Sequence, residues 1–228
     1  MLLIIFPASE KMNECVVFIH GLGRRKQAMA KIERYFASNG YETINFGYSS
    51  LSLDIKEICA GYLSPLILDL IKKYVKIHFV THSLGGIILR VLLNENKFGP
   101  AVGRAVMLAP PNNGSDLARY LSRFKLLNYV IGPNLKLLST GENNITAKLP
   151  LPDFEFGVIT GSKSVNPIFS MIIGRASDGK VAVDEAKLSN MKDFKIVKRS
   201  HTFIMNAPEV MEMSLNFIKY GYFEKFQP

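Results

Sequence analysis

No apolar run in this chain of 228 residues approaches the eighteen or so needed to cross a bilayer as a helix, so the sequence offers no transmembrane segment. Cysteine is scarce. Cys15 and Cys59 are the only two, and we read them as reduced, buried thiols rather than a secreted protein's bridge. Histidine is scarce too, with His20, His78, His82 and His201 the only candidates for imidazole chemistry. No internal repeat and no low-complexity linker divides the chain, so residues 1–228 are expected to form a single domain. The net charge of +9 is dispersed. No long basic run is interleaved with aromatics, which argues against a nucleic-acid partner. Such a diffuse field is expected to give, at most, weak peripheral attraction to anionic membrane. Residues 2–6 are apolar but lack a preceding positive charge and a small-residue cleavage site. They are expected to form a first strand, and the chain is expected to be cytoplasmic.

What is present is an alternation of strand-like and helix-like runs. Residues 15–19, 41–48, 77–80, 101–108, 154–160 and 195–198 read as strands; 29–38, 55–73, 87–93 and 208–220 read as helices. Pro65 should disturb the second of these helices. Alternation of this kind predicts an α/β fold with a mostly parallel sheet flanked by helices. Residues 112–152 break the pattern. They are too apolar for a loop and are expected to form one or two helices over the sheet's C-terminal edge, either as plain packing or as a cap over a site.

One segment carries the chemistry. Val80-Thr81-His82-Ser83-Leu84-Gly85-Gly86 joins an apolar run to a helical one. A serine at such a strand-to-helix junction sits on a strained turn that projects its Oγ above the sheet. The residues two before and two after should be small, because strand and helix pack closely there. Gly85 fits, whereas Thr81 stands where glycine is usual. A serine hydroxyl needs a base to become a nucleophile. His82 adjoins Ser83 and is expected to pack beside it, facing the wrong way to act. His78 reads as a sheet residue. His201 follows a late strand, where the chain order serine, acid, histidine places the base.

The acid should lie between Ser83 and His201 in the chain, after a strand. Asp178, in an Asp-Gly turn after the apolar stretch 169–173, is our choice, with Asp184 and Glu185 as competitors and Asp153 as a remote one. Backbone N–H groups of Leu84 and of Leu22, in the turn His20-Gly21-Leu22-Gly23, are expected to form an oxyanion hole.

Ile19-His20-Gly21-Leu22-Gly23, the segment around Ser83, Asp178-Gly179-Lys180-Val181 and Ser200-His201-Thr202-Phe203 resemble the lipase/esterase branch of the α/β-hydrolase superfamily, notably small bacterial triacylglycerol lipase-like proteins. A Pro-Pro-Asn-Asn-Gly-Ser stretch at 110–115 adds to the resemblance, which runs from about Cys15 to the last helix. It implies a Ser-His-Asp hydrolase of carboxylic esters acting on a small-molecule ester or lipid, with no metal or organic cofactor. Thioesterase or acyltransferase chemistry at the same site stays open, as does a non-catalytic lipid- or protein-binding role.

Overall fold

A computed structural model describes residues 14–224 apart from 97, 142 and 143. The strand expected at 2–6 lies outside the described residues. Among the described residues, six strands form one sheet in the order β2-β1-β3-β4-β5-β6, and every neighbouring pair is parallel. They are β1 (Glu14–Ile19), β2 (Glu42–Phe46), β3 (Lys76–His82), β4 (Val102–Leu108), β5 (Phe156–Gly161) and β6 (Asp193–Val197).

The continuous apolar character of β1 follows from burial on both faces. Cys15, Val17 and Ile19 enter one core with Phe79, Met107 and Val158; Val16 and Phe18 enter the other with Val80, Val106 and Ile159. The first core is closed by α2 (Ile55–Ile58), α3 (Ser64–Leu70) and α4 (Leu84–Glu95). The second is closed by α1 (Ala30–Ser38), through Ile32 and Phe36, and by α10 (Pro208–Tyr220), through Val210 and Phe217. Both cysteines are buried free thiols, and burial pushes each up to about 12.

The helix expected over 55–73 is split. Between α2 and α3 lies one π turn, Cys59–Leu63, in which the Ser64 N–H reaches back to the Cys59 carbonyl. Pro65 explains its position, since it has no N–H to offer the ladder and the chain takes up the wider turn just before it. His78 is indeed a sheet residue. An extra residue in β4, between the pairs Ile77–Val102 and Phe79–Ala105, frees the Arg104 N–H, and the His78 ring accepts it at 2.9 Å.

The described residues of 112–152 hold four short helices rather than one or two: α5 (Asp116–Leu121), α6 (Lys125–Ile131), α7 (Asn134–Leu137) and α8 (Ile145–Lys148). Local chemistry divides them. Ser115 caps α5, Gly132 ends α6 with φ of 87°, Pro133 then precedes α7, and Asn144 caps α8. The stretch 169–173 is also helical. It belongs to α9 (Pro167–Ile173), which starts with Pro167 after the Asn166 cap. The loop bearing Asp178 therefore follows a helix, not a strand.

Candidate active site

Ser83 joins β3 to α4 with φ 53° and ψ −120°, a conformation that costs a non-glycine residue roughly 1–3 kcal/mol. Its N–H donates to the Leu108 carbonyl at 2.8 Å, which pins the turn to β4. Packing around the turn enforces the bend. A Cβ on Gly85 would overlap the Ile19 carbonyl oxygen and lie 2.9 Å from that of His20, so only glycine lets α4 start this close to the end of β1. Thr81 is accommodated one residue further on. A Cβ on Gly86 would stand 3.3 Å from Thr81 Oγ1, so the missing side chain of Gly86 leaves room for the threonine. That hydroxyl is buried with no hydrogen-bond partner.

Ser83, His201 and Asp178 lie in one hydrogen-bonded line. His201 Nε2 is 3.0 Å from Ser83 Oγ, and His201 Nδ1 is 2.7 Å from Asp178 Oδ2. Asp178 is buried, and its other oxygen accepts the N–H groups of Lys180 and Val181, each at 2.9 Å. The His201 N–H in turn donates to the Asp178 carbonyl at 3.0 Å. The carboxylate is thus fixed by the backbone of its own turn and can orient the imidazole.

The competing carboxylates are occupied elsewhere. Both oxygens of Asp184 accept from Arg175 Nε, at 2.9 and 3.0 Å. Glu185 is buried, which pushes its pKa up, and accepts from Ala182 N–H, Asp116 N–H and Arg175 Nη2. Arg175 also holds Asp116 at 2.7 Å, so this cluster ties the first turn of α5 to the loop carrying Asp178. Asp153 lines a separate cavity with Glu14 and Lys76, at the opposite edge of the sheet.

Sequence reasoning missed several supporting residues. His82 does pack beside the nucleophile, but it also reaches 2.9 Å to the His201 carbonyl, and the two rings lie 4.8 Å apart. Burial first, then the neighbouring His201, holds the His82 pKa well below the usual histidine range, so this contact is made by a neutral ring donating from Nε2. Buried Arg90 of α4 donates to the Asn112 carbonyl, and Asn112 Nδ2 donates to the Ala186 carbonyl. Asn113 adds bonds to the carbonyls of Asp184 and Lys187. The Pro-Pro-Asn-Asn stretch therefore braces the acid loop. Its asparagines were the available signal.

The turn His20-Gly21-Leu22-Gly23 is similarly fixed. Tyr48 stacks on His20 at 4.1 Å, and its hydroxyl donates to the His20 carbonyl at 2.6 Å. Gly23 N–H donates to Ser50 Oγ. Gly21 lies against the Ser83 side chain. Leu22 borders the same cavity as Ser83. The N–H of Leu84, at the first position of α4, has no acceptor one turn back.

That cavity has a volume of about 540 Å³. Its walls are mainly apolar and come from the helices over the sheet: Leu117, Ala118 and Leu121 of α5, Val130 and Ile131 of α6, Leu135 of α7, and Phe169 of α9. Among the described residues, no three His, Cys, Asp or Glu side chains gather as a metal site would require. No described helix is long and apolar enough to cross a membrane.

A six-stranded parallel sheet covered on both faces, with a strained serine between the third strand and its helix, defines the α/β-hydrolase fold. No family model and no curated protein matches the chain. Solved structures do match. The mature form of the lipase BlEst2 from Bacillus licheniformis has a TM-score of 0.69 at 22% identity, over 88% of this chain and 89% of that one. The metagenomic carboxyl esterase MGS0156 has a TM-score of 0.67 at 17% identity, over 86% of this chain and 67% of that one. Tomato methylketone synthase I, solved with 2-tridecanone, reaches 0.56 at 15% identity, over 92% and 98%. Bacterial lipases and esterases are thus among the structural neighbours, and the likeness at these identities is one of fold.

Proposed function

We propose that this chain is a serine hydrolase of carboxylic esters. The observation that carries the reading is the line Ser83–His201–Asp178, at 3.0 and 2.7 Å, opening into an apolar cavity. His201 takes the proton of Ser83 as Oγ attacks the ester carbonyl. The N–H groups of Leu22 and Leu84 stabilise the oxyanion of the tetrahedral intermediate. His201 returns its proton to the leaving alcohol, and an acyl-serine remains. Water, activated by the same histidine, then releases the acid. Asp178 holds the tautomer and offsets the charge of the imidazolium. His82 acts through His201 as a positioning residue.

The test is hydrolysis of p-nitrophenyl esters of graded chain length by the wild type and by Ser83→Ala. Hydrolysis should fall by on the order of 10⁴ or more in the variant. Activity that survives the substitution would remove Ser83 from the mechanism.

A further inference from the structure

We propose that the leaving alcohol of the natural ester carries a phosphate anion, and that Arg24 and Lys180 hold it. This deepens the ester-hydrolase reading and rests on it. Two of the residues bordering the cavity over Ser83 are cations, Arg24 and Lys180, and none is acidic. Among the described residues neither forms an ion pair with a carboxylate. Among the described residues the Arg24 side chain makes one hydrogen bond, from Nη2 to the Thr202 carbonyl at 3.2 Å, which leaves most of its guanidinium donors without a partner there. The two cations also feel each other. Desolvation first, and then the Arg24 charge, holds Lys180 below the ordinary lysine range. The Asp178 carboxylate pulls the other way but forms no ion pair with Lys180, so an anion between the two cations removes a repulsion that Asp178 only offsets.

Their placement says which end of the ester the anion occupies. Arg24 binds the carbonyl of the residue after His201, and Lys180 follows Asp178 by two positions, its N–H on the Asp178 carboxylate. Both cations therefore flank His201. In ester cleavage His201 gives its proton to the leaving alcohol, so the alcohol must lie on that flank. The acyl chain is left to the apolar walls of α5, α6 and α7. A guanidinium fork beside an ammonium suits the several oxygens and double charge of a phosphate monoester. The same headgroup chemistry is offered by a soluble acyl-glycerol phosphate and by a phosphatidate in a bilayer.

The experiment compares kcat/KM for 1-hexanoylglycerol 3-phosphate and for 1-hexanoylglycerol, followed by release of hexanoate. Vesicles of diacyl phosphatidate in neutral lipid form a separate arm that distinguishes the bilayer source from the soluble one. The phosphate ester should be preferred at least about tenfold at low salt, and the preference should shrink in 0.5 M salt as the charges are screened. It should collapse in Lys180→Met and in Arg24→Gln, and return in Lys180→Arg, which separates lost charge from lost fold. Equal hydrolysis of the two esters, or a preference that survives both substitutions, would overturn the proposal. If neither these esters nor p-nitrophenyl butyrate is hydrolysed, it is the ester-hydrolase reading that fails. Calorimetry of the same pair on Ser83→Ala then decides the anion site alone. Tighter binding of the phosphate ester, lost with Lys180→Met, supports it. Equal binding, or binding of inorganic phosphate without any preference between the esters, overturns it.

Discussion

Replacing Gly85 by alanine should separate the two elements that carry Leu22 and Leu84, the N–H donors proposed for the oxyanion. The added Cβ would overlap the Ile19 carbonyl oxygen and stand 2.9 Å from that of His20. Both neighbours are backbone at the end of a central strand, so no side chain can swing away. A carbon–oxygen contact needs about 3.3 Å. The start of α4 must therefore retreat from β1 by on the order of 1 Å. Ser83 and Leu84 lie on the helix side of that gap, and Leu22 lies on the strand side. A misplacement of about 1 Å costs on the order of 10² in rate, similar to losing one oxyanion donor. We expect kcat to fall about 100-fold with a smaller change in KM. Overpacking should also cost about 1–3 kcal/mol, a drop of roughly 3–10 °C in Tm for a domain of this size. Gly61→Ala is the control, because a Cβ there meets nothing within 4 Å. Steady-state kinetics on a p-nitrophenyl ester with a parallel thermal melt decides the matter. A Gly85→Ala protein with kcat within threefold of wild type and an unchanged Tm would refute the reasoning.

Asp178→Asn should lower kcat by on the order of 10⁴, because the amide offers the wrong partner to His201 Nδ1, while Asp184→Asn stays within a few-fold in the same assay. Thr81→Val should raise stability by about 1 kcal/mol in urea unfolding, since the hydroxyl it removes is buried without a partner; a loss of stability would mean that the hydroxyl is satisfied. Burial holds His20, His78 and His82 below the usual histidine pKa, so the unfolded chain takes up their protons first as pH falls. Stability is therefore complete above about pH 6.5 and falls below it, by up to about 1.4 kcal/mol per pH unit for each histidine. Melts between pH 7.5 and 5 should show this slope, reduced by one histidine's share in His82→Gln; a slope unchanged by the substitution would show that His82 is not buried neutral.

The sequence was most legible where local pattern and tertiary role coincide. The β1 run is apolar because both of its faces are buried, and helix α10 is bounded as its Pro208 start and Gly221 stop suggest. Ser83, Asp178 and His201 could be singled out because each lies at a junction whose turn chemistry is local. Residues 112–152 were harder. Four helices of four to seven residues are cut by Ser115, Gly132, Pro133 and Asn144, and apolar periodicity cannot resolve pieces so short. The stretch 169–173 reads alike as strand or helix, and only the Asn166-Pro167 cap decides. Contacts spanning a hundred residues or more left no local trace, as with His82 on the His201 carbonyl and Arg24 on that of Thr202. Thr81 reads as a departure from the elbow pattern because its compensation, Gly86, lies one residue beyond that pattern.

Ser83 is proposed as an activated nucleophile under an apolar cavity. Intact-mass analysis of the protein treated with an alkyl fluorophosphonate tests it most directly. One stoichiometric adduct on Ser83 is expected, absent from Ser83→Ala and slowed strongly in His201→Ala. An unmodified wild type, or an adduct on another residue, would contradict it.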